Sequence, residues 1–119
     1  MKRASFVLPG CLVVFLSVSL LAGCSPITPP FMQNALSVPI GVAIAYTNGT
    51  ESSDVWQPHM TVACGREDTE IAELAVEASG HIIHRLFPAD VRRMLGSVSD
   101  PRAVVWQIRQ TDIVPVAKQ

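Results

Sequence analysis

The side chains with most chemistry to offer in this chain are three histidines, a methionine and a cysteine. His81 and His84 stand three positions apart, and on a helix that spacing puts both imidazoles on one face. His59, Met60 and Cys64 lie upstream. Imidazole combined with soft sulfur suits copper or zinc, so a metal site built on His81, His84 and Cys64, with His59 and Met60 as further ligands, is one expectation. Against it, nothing in the order of residues brings 59–64 beside 81–84, and histidines at the end of a helix already complement its dipole. A hydrolase needs a nucleophile, a base and an orienting group. Cys64 with either of the two later histidines is the one pair worth naming, and its apolar neighbours Val62 and Ala63 favour a buried, inert thiol. Glu70, Glu73 and Glu77 recur at helical spacing and read as a solvated face. There is no Gly-rich phosphate loop and no cofactor motif, so the chain reads as a non-enzyme without a cofactor. Of the two tryptophans, Trp106 falls on an alternating strand pattern and is expected in the core. Trp56, between Asp54 and Pro58, is expected in a loop, where it is the candidate, more than Trp106, for an exposed anchor to a partner.

The N-terminus carries an address. Lys2 and Arg3 precede an almost wholly apolar run over residues 6–22, the basic n-region and apolar h-region of an export signal. Leu21-Ala22-Gly23-Cys24 resembles the lipobox of bacterial lipoproteins. The resemblance implies that the Cys24 thiol receives a diacylglyceryl group and that cleavage falls between Gly23 and Cys24, leaving Cys24 as the lipidated N-terminus. Burying acyl chain is worth about 0.8 kcal/mol per CH₂, and two or more chains anchor stably where one is marginal. Ser25 stands where an aspartate would resemble an inner-membrane retention signal, which makes the periplasmic face of the outer membrane the expected destination in a Gram-negative cell.

Removing residues 1–23 leaves enough chain for one small domain. The mature chain holds seven Lys and Arg against ten Asp and Glu, with no basic cluster, which argues against nucleic-acid binding. Cys11 leaves with the signal and Cys24 is consumed by lipid, so Cys64 remains the lone thiol and no intramolecular disulfide can form.

The elements that must position these residues follow from periodicity. Prolines 26, 29, 30 and 39 predict an extended tether over residues 24–39, reaching on the order of 45 Å at about 3.1 Å per residue; Phe31, Met32 and Leu36 are apolar enough to fold back onto the domain. Residues 40–47 alternate as a strand, with Ile40, Val42, Ile44 and Tyr46 on one face and the small Gly41, Ala43, Ala45 and Thr47 on the other. Asn48-Gly49 is a turn pair. Residues 60–64 read as a short strand. Ile71, Leu74, Ala75, Ala78, Ile82 and Leu86 recur at threes and fours and predict an amphipathic helix over residues 68–87, with Gly80 marking a close crossing over the small face of the first strand. A short helix over 91–95 capped by Asp90, a strand over 103–108 and an edge strand over 113–117 complete the reading. The expected fold is α+β: a single domain over residues 40–119 in which a short sheet is packed by one main helix. Anchor, tether and small domain without a catalytic constellation predict a lipid-anchored binding or assembly module that engages the membrane through Cys24 and an envelope protein through its surface. The alternative is a periplasmic metal-binding lipoprotein using His81, His84 and Cys64.

Overall fold

The computed structural model describes residues 27–118; the signal segment, its cleavage site and Cys24 lie outside them. Within residues 27–118, eight strands form two four-stranded sheets whose inner faces share one core. Sheet I contains β1 (Thr28–Asn34), β4 (Thr61–Gly65), β7 (Val104–Ile108) and β8 (Ile113–Ala117) in the order β4-β1-β7-β8. Sheet II contains β2 (Ile40–Tyr46), β3 (Glu51–Trp56), β5 (Ile71–Ala78) and β6 (His81–Leu86) in the order β3-β2-β5-β6. One helix, α1 (Pro88–Gly96), and a 3₁₀ turn (Pro101–Ala103) join β6 to β7. The expectation of an α+β domain packed by one main helix is therefore overturned: the fold is mostly β, a two-sheet sandwich.

The segment read as that helix is the β5–β6 hairpin. Ser79 and Gly80, both at positive φ (53° and 82°), form its two-residue turn, a conformation matched to the twist of antiparallel strands. Gly80 thus serves the turn, and nothing crosses closely there. The helical spacing has two causes in the sheet. The β2–β5 register runs from Ala45 opposite Glu73 to Tyr46 opposite Ile71, so Ala72 is an extra residue and Ile71 returns to the face of Leu74. Between β5 and β6 the register shifts again, from Glu77 opposite Ile82 to Val76 opposite His84, so Ile83 is extra. A bulge inserts one residue and breaks the period of two, which turns strand spacings into threes.

Residues 28–34, expected in the tether, form an interior strand. β1 runs antiparallel to β4 and parallel to β7, and Phe31, Met32 and Asn34 are buried. Its prolines fit because they fall where the ladder is interrupted: the register with β4 shifts between Thr28 and Phe31, and pairing with β7 begins only at Met32. A proline that need not donate to a ladder is tolerated in a strand. The expected strand over 40–47 is β2, with Ile40, Val42, Ile44 and Tyr46 buried. β8 lies at a sheet edge, as its Pro115 requires.

The core joins Met32, Trp106 and Ile108 of sheet I to Ile40, Ile44, Leu74 and Val76 of sheet II. α1 adds Val91, with Met94 and Leu95 partly buried against the same cluster. It begins three residues earlier than expected: Pro88 occupies the first turn, where its missing N–H and fixed φ suit a helix start, and Asp90 Oδ2 accepts the Phe87 N–H at 2.8 Å. This backbone N–H, aided by Arg93, holds the Asp90 carboxyl below its ordinary range.

Candidate functional site

The metal and nucleophile candidates are dispersed. On β6, His81 lies opposite Ala78 and His84 opposite Val76; the ring of His84 hydrogen-bonds the Arg109 carbonyl in the β7–β8 connection. That contact places β6 on the β8 side of the sandwich, whereas Cys64 is on β4, at the other edge of sheet I. His59 sits at positive φ (72°) in the β3–β4 connection, where its N–H donates to the Asn34 carbonyl. Among the described residues, no three His, Cys, Asp or Glu side chains come together to hold a metal ion.

Cys64 is 1% exposed, and burial pushes its thiol up to about 12. The Tyr46 hydroxyl donates to the Cys64 carbonyl at 2.6 Å, and burial raises the tyrosine as well, opposed by the Arg66 guanidinium 4.2 Å from its ring centroid. A thiol that is neutral at any physiological pH is a poor nucleophile and a poor ligand. Because its folded value lies above the ordinary value of 9, the stabilisation is complete below pH 9 and is lost as pH rises toward 12. Urea unfolding over that range should show stability falling with pH. Cys64→Ala should flatten the slope, and a thiol reagent at pH 8 should label the native chain no faster than global unfolding allows.

Trp56, expected in a loop and a candidate for an exposed anchor, ends β3 and is 2% exposed. Ile40 pairs with it, and its indole joins the same core cluster as Trp106. Among the residues of the strands, the exposed large apolar side chains are instead Val55, 62% exposed, and Ile82, 53% exposed.

Both of these belong to the outer face of sheet II. The registers of β2 with β3 and β5, and of β5 with β6, set three rows across it. Val55, Gly41, Glu77 and Ile82 form the first; Ser53, Ala43, Ala75 and Arg85 the second; and Glu51, Ala45 and Glu73 the third. The small side chains of β2, seen in the sequence as one face of a strand, thus become the floor of a trough, extended by Ala75 and Ser53 from the neighbouring strands. No described element covers it. Two adjoining shallow depressions of about 500 and 520 Å³ lie over this floor. Three carboxylates stand on it against one guanidinium, and Arg85 Nε already pairs with Glu73 at 3.0 Å. Both partners are largely exposed, so the pair contributes little to stability and leaves the face acidic.

Periodicity within β2 showed that its outward side chains are small. It did not show that Glu73 and Glu77 flank them, because their spacing fits a solvated helix face as well. No family model, curated protein or solved structure matches the chain.

Proposed function

We propose that this protein is a lipid-anchored envelope lipoprotein whose β-sandwich is a binding module, and that the outer face of sheet II takes a basic, extended segment of a partner polypeptide. The observation that carries this is the open trough over Gly41, Ala43, Ala45 and Ala75. A floor without bulky side chains admits a partner backbone, Val55 and Ile82 give apolar contacts on either side of Gly41, and the surplus of carboxylates favours a cationic ligand. Full burial of each exposed aliphatic side chain is worth about 1.5–3 kcal/mol. Exposed charges add mainly association rate and specificity, screened by salt.

Lipid at Cys24 would hold the module near the bilayer. Thr28 follows Cys24 by four positions, and an extended chain spans at most about 3.6 Å per residue, so the sandwich begins within about 14 Å of the anchor. That is a short leash in place of the long tether expected from the prolines, and partners within reach are those at the membrane surface.

Titration of the chain with a peptide of alternating lysine and valine should shift the amide resonances of residues 41–45, 53 and 75, with affinity falling as salt is raised. Ala43→Arg, which puts bulk and positive charge on the floor of an exposed position, should weaken binding by about tenfold or more without altering the unfolding midpoint. Shifts spread over other surfaces, or binding indifferent to Ala43→Arg, would remove the trough from consideration. Independently, intact mass of membrane-extracted protein should report diacylglyceryl on Cys24; an unmodified cysteine would remove the anchor.

A further inference from the structure

The trough calls for an extended, basic and partly apolar occupant, and this chain carries such a segment itself. In β8, Ile113, Pro115 and Ala117 pair with Ile108, Trp106 and Val104 of the inner side of sheet I. That turns Val114, Val116 and Lys118 outward. Lys118 Nζ stands 4.0 Å from the ring centroid of Phe31, which belongs to the same outer face. A shallow depression of about 520 Å³ lies there, bordered by Gln33, Gln107, Val105, Val116 and Lys118, with no acid in its lining. Lys118 is exposed, and among the described residues no carboxylate pairs with it.

The two outer faces also match end to end. The Lys118 N–H donates to the Ala103 carbonyl at 2.9 Å and Arg102 Nη1 to the Ile27 carbonyl at 2.7 Å, so Lys118 lies at the end where β1 begins. Thr28 pairs there with Gly65. The Tyr46 hydroxyl bonds the Cys64 carbonyl and Arg66 Nη1 bonds Thr50 Oγ1 at 3.2 Å, which brings the row of Glu51, Ala45 and Glu73 to that same end. Outward side chains recur about every 6.6–6.8 Å along a strand. Val114, Val116 and Lys118 therefore carry the spacing of the three rows of the trough.

We infer that the occupant of the trough is the outer face of sheet I of a second copy of this chain, with β8 laid over the floor. The inference rests on the reading of the trough as a binding site and names its partner. With the two copies parallel, Lys118 falls between Glu51 and Glu73, Val116 over Ala43 and Ala75, and Val114 between Val55 and Ile82. Facing sheets pack about 10 Å apart with their strands nearly aligned, so the small floor leaves room for the two valines. Parallel is also the orientation that two chains anchored to one membrane at the same end must share. The two surfaces differ, so the contact is heterologous: each copy keeps one free trough and one free β8 face, and copies add head to tail.

Carbodiimide, which joins an amine to a carboxylate in contact, is the probe, because Lys118 is the single lysine after Lys2. The full chain, half of it labelled with a heavy nitrogen isotope, is treated in mild detergent at low salt. Peptides joining Lys118 of one isotope to Glu51 or Glu73 of the other should form, and should fall several-fold at high salt. Lys118→Glu, a change at an exposed position, should abolish association in sedimentation velocity while leaving the lysine–valine peptide bound to the trough as before. Adding Glu51→Lys to that variant should restore association, now with links from position 51 to position 118. The inference is overturned, with the trough left standing, if the peptide binds but no mixed-isotope link forms, or if Lys118→Glu associates like the parent. Failure of the peptide and of the links together would remove the trough as well.

Discussion

Gly65→Ala is expected to cost more stability than any other single methyl group added to this chain. A Cβ at position 65 would stand 1.9 Å from the Pro29 carbonyl oxygen, 2.8 Å from its carbon and 2.9 Å from the Thr28 carbonyl oxygen. All three are backbone atoms, so no rotamer change relieves the clash, and β4 must separate from β1 where Gly65 pairs with Thr28. Ordinary substitutions cost about 0.5–3 kcal/mol, and larger losses mark a specific mechanism such as this one. We expect a loss of about 4 kcal/mol or more, a large part of the 5–15 kcal/mol available to a domain. Gly41→Ala is the control: its Cβ meets nothing closer than Glu77 Oε1 at 3.7 Å, and stability should stay within about 1 kcal/mol of the parent. Equilibrium urea unfolding of both decides the matter; equal midpoints would show that β1 and β4 do not approach as closely as described.

Asn34→Leu is expected to be nearly as severe, for a reason of polarity instead of space. Asn34 is fully buried, and its amide makes three bonds. Nδ2 donates to the carbonyls of Val38 at 2.9 Å and Trp56 at 3.0 Å, and Oδ1 accepts the Leu36 N–H at 2.9 Å. One side chain on sheet I thereby closes the β1–β2 connection and ties it to the end of β3 on sheet II. Leucine has a similar volume but satisfies none of these groups, and each buried group left unpaired costs about 1–3 kcal/mol. A loss of about 3–5 kcal/mol should follow. Asn34→Asp separates the contributions: a carboxylate keeps the acceptor for Leu36 but faces two carbonyls with negative charge. Its folded value should rise above the ordinary value, so the variant should be most stable below that value and lose stability as pH rises through the folded one. A flat pH profile would show that the side chain is open to water.

The short helix, the edge strand with Pro115 and the strand over 40–47 were legible because each is written in local chemistry. Pro88 and Asp90 suit a helix start, proline cannot donate to a central ladder, and β2 keeps its period of two without interruption. Two elements were hidden by the same residues that build them. β1 looks like a tether because Pro29 and Pro30 suit extended unpaired chain, yet an interruption in the ladder makes room for them. β5 and β6 look like one helix because the extra residue at Ala72 returns Ile71 to the inner face three positions from Leu74, while Ala75 and Ile82, which complete the helical spacing, are apolar residues of the outer face. The pair Ser79-Gly80 was the available signal against the helix, since adjacent residues of that kind suit a hairpin turn better than a helix interior. β3 hid differently: Glu51 to Asp54 are polar because this edge strand buries little besides Trp56.

By itself, the sequence determined which side chains are apolar enough to be buried, where several turns must fall and that β2 has one large and one small face, because these depend on neighbours within a few residues. It also carries the lipobox-like motif on which the proposed anchor rests. Tertiary structure alone decided that the stretch over residues 71–86 is a hairpin, that Trp56 is core and that the small face of β2 is the floor of an open acidic trough. Those outcomes depend on strand register and on which strands lie side by side, and register is set by contacts between residues far apart in the chain, which no local pattern encodes.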